Sequence, residues 1–108
     1  MDMDPEIQAE LEQAEAARLA GNEGKARVCA RRAAGMAARL YYHRHGMRVE
    51  SSSAYSLLST LAELPGLDDG IRQAARDLTR RVDPDFRLPP GVDLIAEAGE
   101  VCKQLSSL

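Results

Sequence analysis

The sequence contains very few aromatic residues. They make up 4% of the 108 residues, as three tyrosines and one phenylalanine, and tryptophan is absent. Hydrophobic residues still account for 44%, so a core must be built from Ala, Leu, Ile, Val and Met. Small side chains allow helices to approach each other closely. A helical protein with an alanine-rich core is therefore expected.

Metal-binding and catalytic motifs are also lacking. The two cysteines, Cys29 and Cys102, do not form a C-x-x-C pair, and the only histidines are His43 and His45. A structural zinc site usually needs four ligands, so this spacing predicts no metal site. The sequence has no Walker loop, Ser-x-x-Lys motif or nucleophile elbow. We expect no cofactor.

No apolar run approaches the roughly 20 residues that a membrane span needs. The first residues, Met1–Glu6, are acidic, whereas a secretory signal begins with basic residues. These features predict a soluble, cytoplasmic protein that does not contact a membrane.

Apolar residues recur at helical spacing in five segments, each bounded by capping or helix-stopping residues. The predicted helices run from Asp4-Pro5 to Gly21-Asn22, from Asn22 to about His45, from Ser51–Ser53 to Pro65-Gly66, from Asp68 or Asp69 to Val82, and from Asp93 past Leu105. Residues 83–91 contain three prolines and are predicted to form a loop. No useful length of sequence alternates with the period of a strand. The prediction is one all-α domain over residues 1–108, an up-and-down antiparallel bundle of about five helices.

The second predicted helix carries a strong positive charge. Between Arg18 and Arg48 there are eight basic residues and one acid, Glu23, in a chain of net charge −3. Arginine forks suit phosphate geometry, so the pattern indicates an anion site. The alternative is a solvated helix face whose arginines pair with the acidic first helix. The candidate anion-binding residues are Arg27, Arg31, Arg32, Arg39 and, in the later loop, Arg87.

A second stripe on this helix consists of Val28, Gly35 and Tyr42, one heptad apart. Glycine inside a helix costs about 1 kcal/mol relative to alanine, so a close approach at Gly35 is expected. The neighbour is either another helix of the bundle or a second copy of the chain. Val28, Gly35 and Tyr42 are therefore the candidate interface of a homodimer.

Three residues near the end of this helix could support catalysis. An arginine can hold a phosphate while a histidine moves a proton, which is the minimum for metal-free RNA cleavage. Arg39 with His43 or His45 offers this combination. Two surface histidines at the C-terminal end of a helix, where positive charge suits the dipole, are the alternative interpretation.

The order of these features resembles the HEPN family of small helical bundles. The resemblance lies in Ala30–Ala38 followed by Tyr41-Tyr42 and Gly46, in Ser53–Leu58, and in Leu78 followed by residues 83–89, which are similar to that family's Arg-Tyr-Pro loop. It implies a four- or five-helix bundle, frequent homodimers, and links to nucleotides or RNA. Some members pair with nucleotidyltransferases, and others are ribonucleases.

Two departures from the family pattern favour a protein without catalytic activity. Position 35 is glycine where many members carry an acid, and position 53 is serine where many carry histidine. We therefore predict a non-catalytic HEPN-like module, a homodimer that binds a nucleotide, RNA or a protein partner. The alternatives are a ribonuclease or toxin-like enzyme that uses Arg39 with His43 or His45, and a protein-interaction unit, since Ala14, Leu19, Gly21 and Ala26 resemble one tetratricopeptide-like helical pair.

Overall fold

All regular elements in the described residues are helices. A computed structural model describes residues 3–49, 51–80 and 93–108 of the chain. The helices are α1 (Pro5–Leu19), α2 (Glu23–Arg44), α3 (Ala54–Glu63), α4 (Asp69–Thr79) and α5 (Leu94–Ser106). The prediction of a helical bundle is thereby confirmed, and the predicted loop at 83–91 lies outside the described residues. No described helix is both long and apolar enough to cross a membrane.

Each helix begins at a residue whose side chain accepts a hydrogen bond from the first turn. The Asp4 carboxylate accepts from the Glu6 amide at 2.8 Å, and Asn22 Oδ1 accepts from the Lys25 amide at 3.1 Å. These bonds satisfy backbone donors that have no partner inside the helix. Capping residues for the five helices are Asp4, Asn22, Ser53, Asp68 and Asp93.

α2 is the central helix of the bundle and packs against all four of the others. Its alanines are buried on most sides of the helix, including Ala30, Ala34 and Ala38. Burial therefore extends around most of the circumference of α2. Because α1 and α3 do not pack against each other, a strip of α2 is left exposed between them. The residues exposed along this strip are Lys25, Val28, Arg32, Arg39 and His43.

The packing of α3 on α2 explains the glycine at position 35. A Cβ atom there would lie 2.8 Å from Ala54 Cβ, which is closer than carbon atoms can approach. Two turns further along α2 and one turn further along α3, the Tyr42 hydroxyl donates a 2.7 Å hydrogen bond to the Leu57 carbonyl. The close approach predicted at Gly35 is confirmed, and its partner is another helix of the same chain.

These two contacts also show the direction of α3. The two contacts lie seven residues apart on α2 and three apart on α3, and both advance toward the C-terminal ends, so α3 does not run antiparallel to α2. The predicted antiparallel order does not hold for this pair of helices. Residues 45–53 can span up to about 30 Å when extended, which is enough to return along α2 before α3 begins.

Candidate anion-binding cleft

Three arginines of the basic region hold the bundle together. Arg18 donates two hydrogen bonds to the Asp93 carboxylate, at 2.7 and 3.2 Å. Arg31 Nε donates to the Leu78 carbonyl oxygen at 2.7 Å, and Arg44 donates to the carbonyl oxygen of the last leucine of α5, Leu105. The carbonyl groups of Leu78 and Leu105 lie in the last turns of α4 and α5, where carbonyl oxygens have no amide donor within the helix. Arg31, a candidate for anion binding, therefore has a structural contact.

Two further candidates lie elsewhere. Arg27 is half-buried and lines a recess of about 290 Å³ together with Arg18, Glu23 and Asp93. It interacts with other parts of the chain. Arg87 lies outside the described residues.

Arg32 and Arg39 differ from these arginines. Both are exposed, and neither forms a hydrogen bond or ion pair with any residue in ranges 3–49, 51–80 and 93–108. They lie one heptad apart on the exposed strip of α2, so their Cα atoms are separated by about 10 Å along the helix axis. Both side chains line one cleft of about 370 Å³. We call this the arginine cleft.

The arginine cleft lies between α1 and α3, and α2 forms its floor. Gly35 and Met36 line the floor, Glu10 lines the α1 side, and Ser52, Ala54 and Leu57 line the α3 side. The absence of a side chain at Gly35 brings the first turn of α3 against α2. The N-terminal end of a helix carries a partial positive charge, so α3 adds to the positive potential of the two guanidinium groups.

Glu10 places one carboxylate in this positive environment. Its Oε2 atom is buried and has no hydrogen-bond partner among the residues that the structure describes. The neighbouring Cys29 thiol has a raised pKa, because it is buried and because Glu10 lies beside it. Sequence reasoning missed Glu10, although its position one turn from Ala14 places it on the helix face that packs against α2.

The three candidate catalytic residues are not brought together. Arg39 and His43 lie one turn apart on the exposed strip. His45 lies beyond the end of α2, where its Nε2 atom is 3.3 Å from the Leu108 carbonyl oxygen and its ring centroid is 4.3 Å from that of Tyr41. Only Arg39 and His43 share a surface that a ligand could contact.

The residues of the predicted dimer stripe have different environments. Gly35 and Tyr42 are buried against α3 of the same chain, and Tyr42 is 2% exposed. Val28 is 42% exposed on the α2 strip. The contacts of Gly35 and Tyr42 are thus accounted for within one chain, and the homodimer stays a prediction.

A pair of acids on α4 and α5 was not expected from the sequence. Asp77 on α4 is 6% exposed, and it receives hydrogen bonds from Gln73 at 3.1 Å and Arg80 at 3.3 Å. Glu97 on α5 lies against it, and burial together with Asp77 raises the pKa of Glu97 to about 7. Glu97 is therefore not an ordinary exposed acid of α5. Its spacing, three residues after Leu94 and four before Val101, had placed it beside the buried stripe.

No three side chains of the metal-binding types His, Cys, Asp and Glu cluster within the described ranges. Compared with known proteins, the chain matches no family model, no curated protein and no solved structure. The resemblance to the HEPN family therefore rests on the residues of the sequence alone.

Proposed function

We propose that this chain is a non-catalytic, HEPN-like helical module that binds an anionic ligand, a nucleotide or RNA, in the arginine cleft. The observation that supports this proposal is the contrast among the arginines. Arg18, Arg31 and Arg44 donate to acceptors of the protein, whereas Arg32 and Arg39 share a cleft and have no such acceptor in the described chain. A phosphate group would supply the missing acceptors, because guanidinium donors match its geometry.

The proposal predicts salt-dependent binding that depends on two residues. For a single-stranded oligonucleotide, neutralising two phosphates gives a slope of about −1.4 in log K against log salt concentration. R32A or R39A should each reduce the magnitude of the slope by about 0.7 and weaken binding about tenfold or more, because a charge-assisted hydrogen bond is lost.

Fluorescence anisotropy with a labelled RNA oligonucleotide measures both the affinity and its dependence on salt. The titrations would cover roughly 25 to 300 mM salt, the range in which counterion release changes the affinity strongly. K103A is the control, since Lys103 is an exposed positive residue of α5 that does not line the arginine cleft. Equal losses of binding in R32A, R39A and K103A would mean that only general charge matters. Absence of binding at the lowest salt concentration would remove the proposal.

The homodimer and the nucleotidyltransferase partner belong to the same proposal. The partner derives from the family resemblance, and the homodimer derives from that resemblance and from the stripe of Val28, Gly35 and Tyr42. Of the predicted interface residues, Val28 is the one available at the surface. Analytical ultracentrifugation of the wild-type chain and of V28E tests the dimer: the wild type should sediment at twice the monomer mass and the variant at the monomer mass. A wild-type monomer at high concentration would contradict it.

A metal-independent ribonuclease is the second candidate function. It is favoured by one observation, the position of Arg39 and His43 one turn apart on the exposed strip. This candidate predicts that H43A retains RNA binding and loses cleavage, while H45A cleaves RNA like the wild type. Wild-type protein that binds RNA without cleaving it would leave the binding module as the function.

A further inference from the structure

The arginine cleft is chemically mixed, because it contains an acceptor as well as donors. Arg32 and Arg39 present guanidinium groups, and Glu10 presents a buried carboxylate oxygen that has no hydrogen-bond partner among the described residues. A carboxylate next to an anion site repels the anion, and a buried oxygen without a donor loses the hydration it had in water. Both effects are unfavourable for a site that holds a simple anion.

The protein itself provides only a weak donor for this oxygen. The Cys29 thiol lies close enough to Glu10 for the carboxylate to raise the pKa of the thiol, but S–H groups are poor hydrogen-bond donors. A ligand that carries a hydroxyl group beside its anionic group would satisfy Glu10 and the two arginines together.

The lining of the cleft indicates which part of a nucleotide fits there. None of the residues that line it is aromatic, so a base has no ring on which to stack. Met36 and Leu57 provide apolar surface, which suits the carbon atoms of a sugar ring. Carboxylates are known acceptors for ribose hydroxyl groups in nucleotide sites, and the 2′-hydroxyl distinguishes RNA from DNA.

We propose, on the basis of the function proposed above, that the arginine cleft binds the sugar–phosphate unit of a ribonucleotide. Arg32 and Arg39 donate to the phosphate oxygens, and the half-buried Glu10 carboxylate, which lines the cleft, accepts a hydrogen bond from the 2′-hydroxyl group. The cleft therefore discriminates ribose from deoxyribose and is indifferent to the base.

Matched ribose and deoxyribose ligands test this proposal. Binding of AMP and dAMP, and of ten-residue oligoadenylate as RNA and as DNA, would be measured by calorimetry and anisotropy for the wild type and for E10Q. The wild type should prefer the ribose form about tenfold, as expected when a hydrogen bond to a charged acceptor is made or lost. A preference seen with the mononucleotides identifies free nucleotides as ligands, and one seen only with the oligomers identifies RNA strands.

E10Q should lower the ribose-to-deoxyribose ratio to about one while leaving the affinity for DNA unchanged or higher, since a negative charge is removed. E12Q is the matched control. Glu12 is exposed, two positions along α1 and hence on the opposite side of the helix, and it should behave like the wild type. Thermal unfolding of both variants establishes that they fold.

Two results would overturn the proposal. One is a wild-type protein that binds RNA and DNA equally. The other is an E10Q variant whose affinity for both rises by the same factor, which would make Glu10 only a repulsive charge. In either case the arginine cleft would still bind anions. Failure of the proposed function itself is distinguishable, because the wild type would then bind neither RNA, DNA nor inorganic polyphosphate.

Discussion

Replacing Glu97 with glutamine should remove much of the pH dependence of stability between pH 5 and 8. In the folded protein Glu97 lies against the buried carboxyl group of Asp77. Burial, and to a smaller extent the neighbouring Asp77, raise the pKa of Glu97 from 4.5 to about 7. The guanidinium group of Arg80 acts in the opposite direction, and the Asp93 carboxylate adds to the rise. Protonation of Glu97 removes its repulsion with Asp77 and therefore stabilises the packing of α4 on α5.

The sign of the effect follows from proton binding. Between pH 4.5 and 7 the folded state binds more protons at Glu97 than the unfolded state, so the free energy of unfolding falls as the pH rises through this window. The full difference of pKa corresponds to about 3.4 kcal/mol. Because Glu97 is partly exposed, solvent screening reduces this energy, and we expect about 1–2 kcal/mol. For a chain of this size, that lowers Tm by about 5 °C or more between pH 5 and pH 8.

Thermal and urea unfolding, followed by circular dichroism at several pH values in this window, measure the effect. E97Q should show a flatter stability curve than the wild type and should be at least as stable at pH 8, since the repulsion with Asp77 is absent. The control is E100Q, which changes an exposed acid of the same helix that accepts only a hydrogen bond from Gln104. Comparing variants cancels the contribution of other titrating groups.

A direct titration would refute this reasoning most clearly. The side-chain carboxyl carbon of Glu97, observed by NMR, should titrate near pH 7. A midpoint near 4.5, or parallel stability curves for the wild type and E97Q, would show that burial and Asp77 do not raise the pKa of Glu97.

Two further predictions concern packing. G35A should destabilise the protein by about 1–3 kcal/mol in urea unfolding, because the added Cβ would overlap with Ala54 despite the higher helix propensity of alanine. The double variant G35A/A54G should recover most of the lost stability. A G35A variant that is more stable than the wild type would contradict the close contact. The thiols of Cys29 and Cys102 should react slowly with a disulfide reagent at neutral pH and quickly in denaturant. Burial raises the pKa of both thiols, and it raises the pKa of Cys102 to about 12. Rapid labelling of the native protein would show that the core opens readily.

Much of the fold could be predicted because its signals are local. Asp4, Asn22 and Asp93 cap helices through hydrogen bonds that reach only two or three residues along the chain. The periodicity of alanine and leucine likewise depends on helix geometry alone. Gly35 indicated a close contact for the same reason, since the lower helix propensity of glycine relative to alanine is a property of the helix itself.

The candidate site could be predicted only in part. The sequence identified a set of basic residues that included Arg32 and Arg39, but it could not separate them from Arg31. That separation depends on the carbonyl oxygen of Leu78, which is 47 residues away along the chain and accepts from Arg31 only after α4 has packed on α2. Glu10 was missed for a similar reason, because the cleft it lines exists only where α1 and α3 fail to meet.

The sequence by itself determined that this chain forms helices, where most of them begin, and that one helix concentrates positive charge. Tertiary structure decided which of those charges became internal contacts, which remained available in the arginine cleft, and that two acids, Asp77 and Glu97, share a buried contact. The physical reason is range. Helix formation and capping are decided within one turn of the chain, whereas the partner of a long charged side chain and the burial of a carboxyl group depend on which distant elements pack beside it.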